Sequence, residues 1–248
     1  MISFFKFSLF SLLLLLAYQN PASAAQTYTA CAKVKNFVTP SKINLETPPP
    51  LIEQKQNRTQ LNANQGAAHQ AWLKQNNMQA VWSAQEMETL GQAAGGWGMM
   101  SMIRFTAKPY DAYGSAYCPY FGPVELNMIY RTIISIPNDF KPGSCEYNLI
   151  LKHELRHHET NVAVAREIVA RLEKDLPTII TEVEKSGSYV TRNQVDPRFK
   201  YMQASLEGAT QIYLTESMQK EMNRRNKLID SPAEYQRTDG EIRKCKDQ

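Results

Sequence analysis

The sequence has no pair of cysteines at CxxC spacing: Cys31, Cys118, Cys145 and Cys245 stand far apart, which excludes the usual thiolate cluster for zinc. It has no apolar run of the roughly 20 residues that a membrane-spanning helix needs. The longest run, at 7–17, stops well short of that. Net charge is small, +4, and no basic stripe with interleaved aromatics occurs, which excludes nucleic acid as a partner. Internal repeats and low-complexity tracts are missing too. Histidine is scarce, with four in 248 residues. Yet His153, His157 and His158 fall within six positions of one another.

What is present begins with an export signature. "MISFFKFSLFSLLLLLAYQNPASAAQ" carries one early cation, Lys6, then the apolar run, then the small-residue pattern Ala22-Ser23-Ala24. This predicts a secretory signal peptide over 1–24. The mature chain is then periplasmic or secreted, without a stable membrane span. A single domain is expected over 25–248, with a flexible connection near 40–65. In an oxidising compartment the four cysteines read as two disulfides. Cys118 and Cys145 flank one strand and form the expected pair, which leaves Cys31 with Cys245.

Periodicity sketches the elements. "QTYTACAKVKNFV" alternates as a strand, and the proline- and asparagine-rich stretch after it reads as a surface connection. Short helices are expected at 67–76 and from Ser83, where Glu86 completes a capping box. "GGWGMMSMIRFTA" and "VELNMIYRTIISIP" read as strands, the second with Leu126, Met128, Tyr130, Thr132 and Ile134 on one face, and 108–123 as a loop between them. From 145 to 176 the pattern turns helical. Ser144 is placed to cap it, and Ile150, His153, His157, Val164, Ile168 and Leu172 recur at helical spacing. Pro177 is expected to end or kink this helix, and a final helix is expected over 196–228.

His153-Glu154-Leu155-Arg156-His157 is an HExxH motif inside that helix. Two histidines four residues apart project from one helix face, close enough to share one tetrahedral Zn2+ ion. Glu154 points slightly aside, where it can take a proton from water rather than bind metal. His153 and His157 are therefore the expected ligands and Glu154 the expected general base. His158 is turned about 100° from His157 around the helix, a supporting or surface position. His69 reads as an ordinary surface histidine. A protein or peptide is the expected substrate.

"HELRHHE", with its lead-in "GSCEYNLILK" and the strand "IYRTIISIP" before it, resembles the zincin-type metallopeptidases, and among them secreted bacterial zinc-dependent proteases. The resemblance covers roughly 120–176. It implies an α+β zincin-like fold, a small antiparallel sheet packed on a long HExxH active-site helix and a C-terminal helix. It also gives part of 124–136 the task of aligning the substrate backbone. Thr160 and Ala163 stand where a metzincin needs glycine and histidine, so that branch is excluded. Thermolysin-like zincins take a third ligand from a glutamate on a later helix. By that likeness Glu207 is the candidate, followed by Gly208 and Ala209, which permit close helix approach. Glu182, Glu184, Asp196 and His69 stand in reserve. The resemblance implies zinc-assisted amide hydrolysis, with a non-hydrolytic zinc-binding or assembly module as the alternative.

The exported protein should begin at Ala25. N-terminal sequencing that reads Ala-Gln-Thr would agree, and an intact 1–24 segment would refute it.

Overall fold

In the computed structural model of the chain, residues 31–63 and 91–245 are described, apart from 33, 36, 62, 187 and 188. The signal segment, His69 and the short helices expected at 67–76 and from Ser83 lie outside the described residues. The elements in order are β1 (Ser41–Glu46), β2 (Leu51–Glu53), β3 (Gln92–Pro109), β4 (Tyr117–Ser135), α1 (Cys145–Lys185), a 3-10 turn (Arg192–Gln194), α2 (Val195–Ile229) and α3 (Pro232–Cys245). The fold is α+β, with a small, mostly parallel sheet and long helices. Among the described residues no helix is long and apolar enough to cross a membrane.

β4 is the central strand of the sheet: the order is β1-β4-β2, and β3 also pairs with β4. The expected antiparallel sheet is corrected here, because β2 pairs parallel to β4 with Leu51 opposite Ile133 and Glu53 opposite Ser135. A parallel pair needs a long connection, and Glu53 and Tyr117 are far enough apart in sequence to allow one. β1 and β2 lie inside the stretch expected to be a bare connection. In β1 Ile43 and Leu45 take the less exposed side while Lys42, Asn44 and Glu46 face out, an alternation only six residues long, and in β2 Leu51 and Ile52 are exposed, so that strand is set by backbone pairing. The strand expected from 26 to 38 is also corrected where it is described: Cys31, Ala32 and Val34 are helical, and Lys35 N–H donates to the Cys31 carbonyl at 3.2 Å.

Chain contacts separate two compact units. Among the described residues the first combines 31–44 with Met100–Asn127 and Ala170–Leu214, and the second holds 45–63, 91–99, Met128–Val169 and 215–245.

In the first unit Cys118, Phe121, Leu126, Leu172, Leu176, Ile180, Met202 and Leu206 are all fully buried. Cys31 is disulfide-bonded to Cys118. The buried carboxylate of Glu184 pairs with Lys35 at 2.7 Å and accepts the Phe121 N–H at 3.1 Å. β4 therefore begins at Tyr117, in what was expected to be loop, since burial and the disulfide outweigh the breakers Pro119 and Gly122. Only 110–116 is left as a turn, with Gly114 at φ 64°. Pro177 sits inside α1 and does not end it. An interior proline costs about 3 kcal/mol. Leu172, Leu176, Ile180 and Val183 are buried along one face, and each contributes roughly 1.5–3 kcal/mol, so the helix continues to Lys185.

The second unit keeps the expected face of β4: Met128, Tyr130, Thr132 and Ile134 are each at most 2% exposed. Ser144 caps α1 by accepting the Tyr147 N–H at 3.2 Å. Ile134, Ile136 and Ile150 form a core with Ile242 of α3, and Cys145 is bonded to Cys245. The expected Cys118–Cys145 and Cys31–Cys245 pairs are thus wrong. Cys118 stands at the start of β4 and Cys145 beyond its end. An extended strand rises about 3.3 Å per residue, so its two ends are far outside disulfide reach.

Peptide mapping without reductant should yield Cys31–Cys118 and Cys145–Cys245. Opening the second with Cys145→Ser and Cys245→Ser releases a segment of 100 residues and should lower unfolding free energy by about 4–5 kcal/mol on the loop-entropy account, read from denaturant melts.

Candidate metal centre

Residues 153 and 157 are one helical turn apart in the first third of α1 (Cys145–Lys185), so their rings rise from one face. His153 Nε2 and His157 Nε2 are 3.2 Å apart. A carboxylate joins them from far along the chain: Asp230 Oδ1 lies 3.0 Å from His157 Nε2 and 3.4 Å from His153 Nε2. Among the described residues these three form a group of donor atoms able to hold one ion.

Asp230 owes its place to a helix junction. α2 ends at Ile229, the Asp230 N–H still donates to the Asn226 carbonyl at 2.9 Å, and Pro232 opens α3 after one intervening residue. Ser231 caps α3 by accepting the Glu234 N–H at 3.4 Å. α3 then runs back along the first half of α1. Glu234 pairs with Arg156 at 3.0 Å, Ile242 packs in the cluster of Ile150, and Cys245 bonds Cys145.

The triangle can be tested against a tetrahedral ion. With ligand bonds of about 2.0–2.1 Å, donor atoms on a tetrahedron are about 3.3 Å apart, and the edges here are 3.0, 3.2 and 3.4 Å. Two imidazoles and one carboxylate also form a three-ligand set of the kind that leaves a fourth position open. The residues fit a zinc-sized divalent ion.

Their electrostatics agree with that fit. Burial works against the ionised Asp230, yet hydrogen bonds from His153 and His157 outweigh it and hold the carboxyl down to about 2. Burial likewise opposes charging His157, but the bond to Asp230 prevails and its pKa is raised. Glu154 is 5% exposed, and burial pushes its carboxyl up to about 7 against the pull of both imidazoles. The chain at 91–93 lies over it. A Cβ at Gly91 would come within 2.8 Å of Glu154 Oε1 and 2.7 Å of Ile150, so a side chain there would have to displace them, and Ala93 N–H donates to the carboxylate.

The structure brings Glu154 to His153 and His157, but the carboxylate in the group is Asp230 and not Glu207. Glu207 lies on α2 in the first unit, accepting from Ser101 and from Gln203, the latter at 2.9 Å. Of the reserves, Glu182 pairs with Lys185 and Glu184 with Lys35, and Asp196 is exposed. Sequence reasoning missed Asp230 because it sought a carboxylate in a helix body. The signal was the punctuation Asp230-Ser231-Pro232, which marks a helix junction and so a place where a side chain can turn back. His158 keeps its supporting position, with Nδ1 3.0 Å from Thr132 Oγ1. β4, whose residues 124–136 were expected to align the substrate backbone, has β1, β2 and β3 as its partners in the sheet. The strand end beside Glu154 belongs to β3.

Comparison of the chain with protein-family models, curated proteins and solved structures gives no significant match.

Asp230→Ala should weaken zinc binding by at least the 10- to 100-fold seen when a ligand's supporting partner is lost, while Glu207→Gln should leave it unchanged. Competition titration with a chromophoric chelator would read both. The reverse ranking would return Glu207 to the ligand set.

Proposed function

We propose that the chain is a zinc-dependent hydrolase of peptide bonds, zincin-like in its use of HExxH, with Asp230 in place of a third-ligand glutamate. The observation that carries this reading is the donor triangle of 3.0, 3.2 and 3.4 Å with Glu154 electrostatically coupled to all three of its members. His153, His157 and Asp230 hold the ion. When bound, zinc lowers the pKa of water toward about 7 and polarises a carbonyl. Glu154 then takes the proton from the attacking water and returns it to the leaving amine nitrogen as the C–N bond breaks.

Two further observations support a peptide substrate met outside the cytoplasm. A cleft of about 430 Å³ lies one turn beyond His157, lined by Thr160, Ala163, Leu228 and Ile229 with Glu159 and Arg225. It offers apolar contact with charge of both signs, which suits a side chain of an unfolded polypeptide. The two disulfides suit an oxidising compartment, in line with the export signature.

A non-hydrolytic zinc-binding or assembly module is favoured by one observation: the Glu154 carboxylate already accepts the Ala93 N–H beneath the 91–93 backbone. The experiment that separates the two is metal analysis of the purified mature protein, then digestion of an unfolded protein with and without chelator. Glu154→Gln should retain zinc and lose hydrolysis by a factor of at least about 10². Bound zinc without wild-type hydrolysis would select the module, and full turnover in Glu154→Gln would reject the mechanism.

A further inference from the structure

The two histidines of the motif are equivalent in spacing but not in their surroundings. His157 Nδ1 lies 3.1 Å from Asn226 Oδ1, on the last turns of α2. Asn226 turns its Nδ2 the other way and donates to Asn161 Oδ1 at 3.1 Å. Asn161 and Thr132 both hydrogen-bond with the Tyr130 hydroxyl, and Thr132 Oγ1 meets His158 Nδ1 at 3.0 Å. Asn161 is 4% exposed, and Tyr130 and Thr132 are 2% exposed. Asn226 itself is half-buried, so the chain of polar groups from His157 to the sheet is buried at His157, Asn161, Tyr130 and Thr132.

A chain of this kind has a direction. A side-chain amide has one end that only accepts and one that only donates. The oxygen of Asn161 is committed to Asn226, so its nitrogen is the end that turns to Tyr130. The nitrogen of Asn226 is committed to Asn161, so its oxygen is the end that faces His157. An oxygen there can only accept, and His157 Nδ1 must carry the proton. Whenever the ring is neutral its bare lone pair is on Nε2, the atom that lies 3.2 Å from His153 Nε2 and 3.0 Å from Asp230 Oδ1.

We propose that Asn226 is the positioning residue of the centre: it fixes which nitrogen of His157 faces the ion, and Asn161 and Tyr130 fix Asn226. The proposal deepens the metal reading and rests on it. The partner that orients His157 stands 69 positions away in the sequence. Asn226 sits four residues before Asp230, so the last turns of α2 and the junction after them carry both a ligand and the group that aims its neighbour.

The test compares zinc affinity in the full mature protein for the wild type, Asn226→Leu and Asn226→Asp, with the cobalt-substituted absorption spectrum as a second readout. Asn226→Leu removes the acceptor and should weaken zinc binding about 10- to 100-fold and alter the cobalt bands. Asn226→Asp keeps an oxygen toward His157 but cannot donate to Asn161, and it should retain wild-type zinc affinity and bands. A purely structural role through Asn161 predicts that both variants fail alike, so equal loss in the two overturns the proposal. So does a Leu variant that binds as the wild type does. A wild type that takes up no zinc overturns the metal reading itself, and this inference with it.

Discussion

The return of α3 along the first half of α1 is the contact on which the candidate centre depends. Residues at both ends of α3 meet α1 in antiparallel register: Glu234 with Arg156, Ile242 beside Ile150, and Cys245 with Cys145. Asp230 lies just before α3, and its distance to the histidines is set by where that helix starts. The contributions are unequal. Arg156 and Glu234 are both partly exposed, so their attraction is screened and gives orientation more than stability. The covalent bond and the burial of Ile150 and Ile242 hold the pair, the former by removing freedom from the unfolded chain.

Charge at the centre is arranged at a cost. Asp230 is ionised because two imidazoles donate to it, whereas Glu154 is shielded from water and resists ionisation. Its folded pKa of about 7 stands above the ordinary 4.5. Ionising it therefore opposes folding as pH rises through that window, and the neutral form carries no such penalty. A divalent cation beside it would remove the opposition. A buried acid whose ionisation is opposed by burial and favoured by two neighbouring imidazoles marks a candidate functional site. Glu184 supplies the contrast: equally buried, it is matched by Lys35 and a backbone N–H, and it serves the first unit's core.

Much of the local structure was written in short-range pattern. His153 and His157 share a face because four residues is close to one helical turn. Leu126 to Ile134 alternate because strand side chains do, and Ser144 caps because its side chain competes for the first free N–H groups. Each of these follows from chain geometry within a few residues. The same logic misplaced the start of β4, where Pro119 and Gly122 read as breakers although Cys118 and Phe121 beside them are fully buried.

The sequence by itself determined the helix of the motif, the inward face of β4 and the roles open to His153, Glu154 and His157, because periods of 3.6 and 2 are properties of the local backbone. Only the tertiary structure decided that Asp230 joins them and that Asn226 orients His157. It also decided that Cys145 meets Cys245 and that β2 lies parallel to β4. Those partners are 69 to 100 positions apart. No period links residues at such separations; they meet where Ile150 is buried in one cluster with Ile242 and α3 lies along α1.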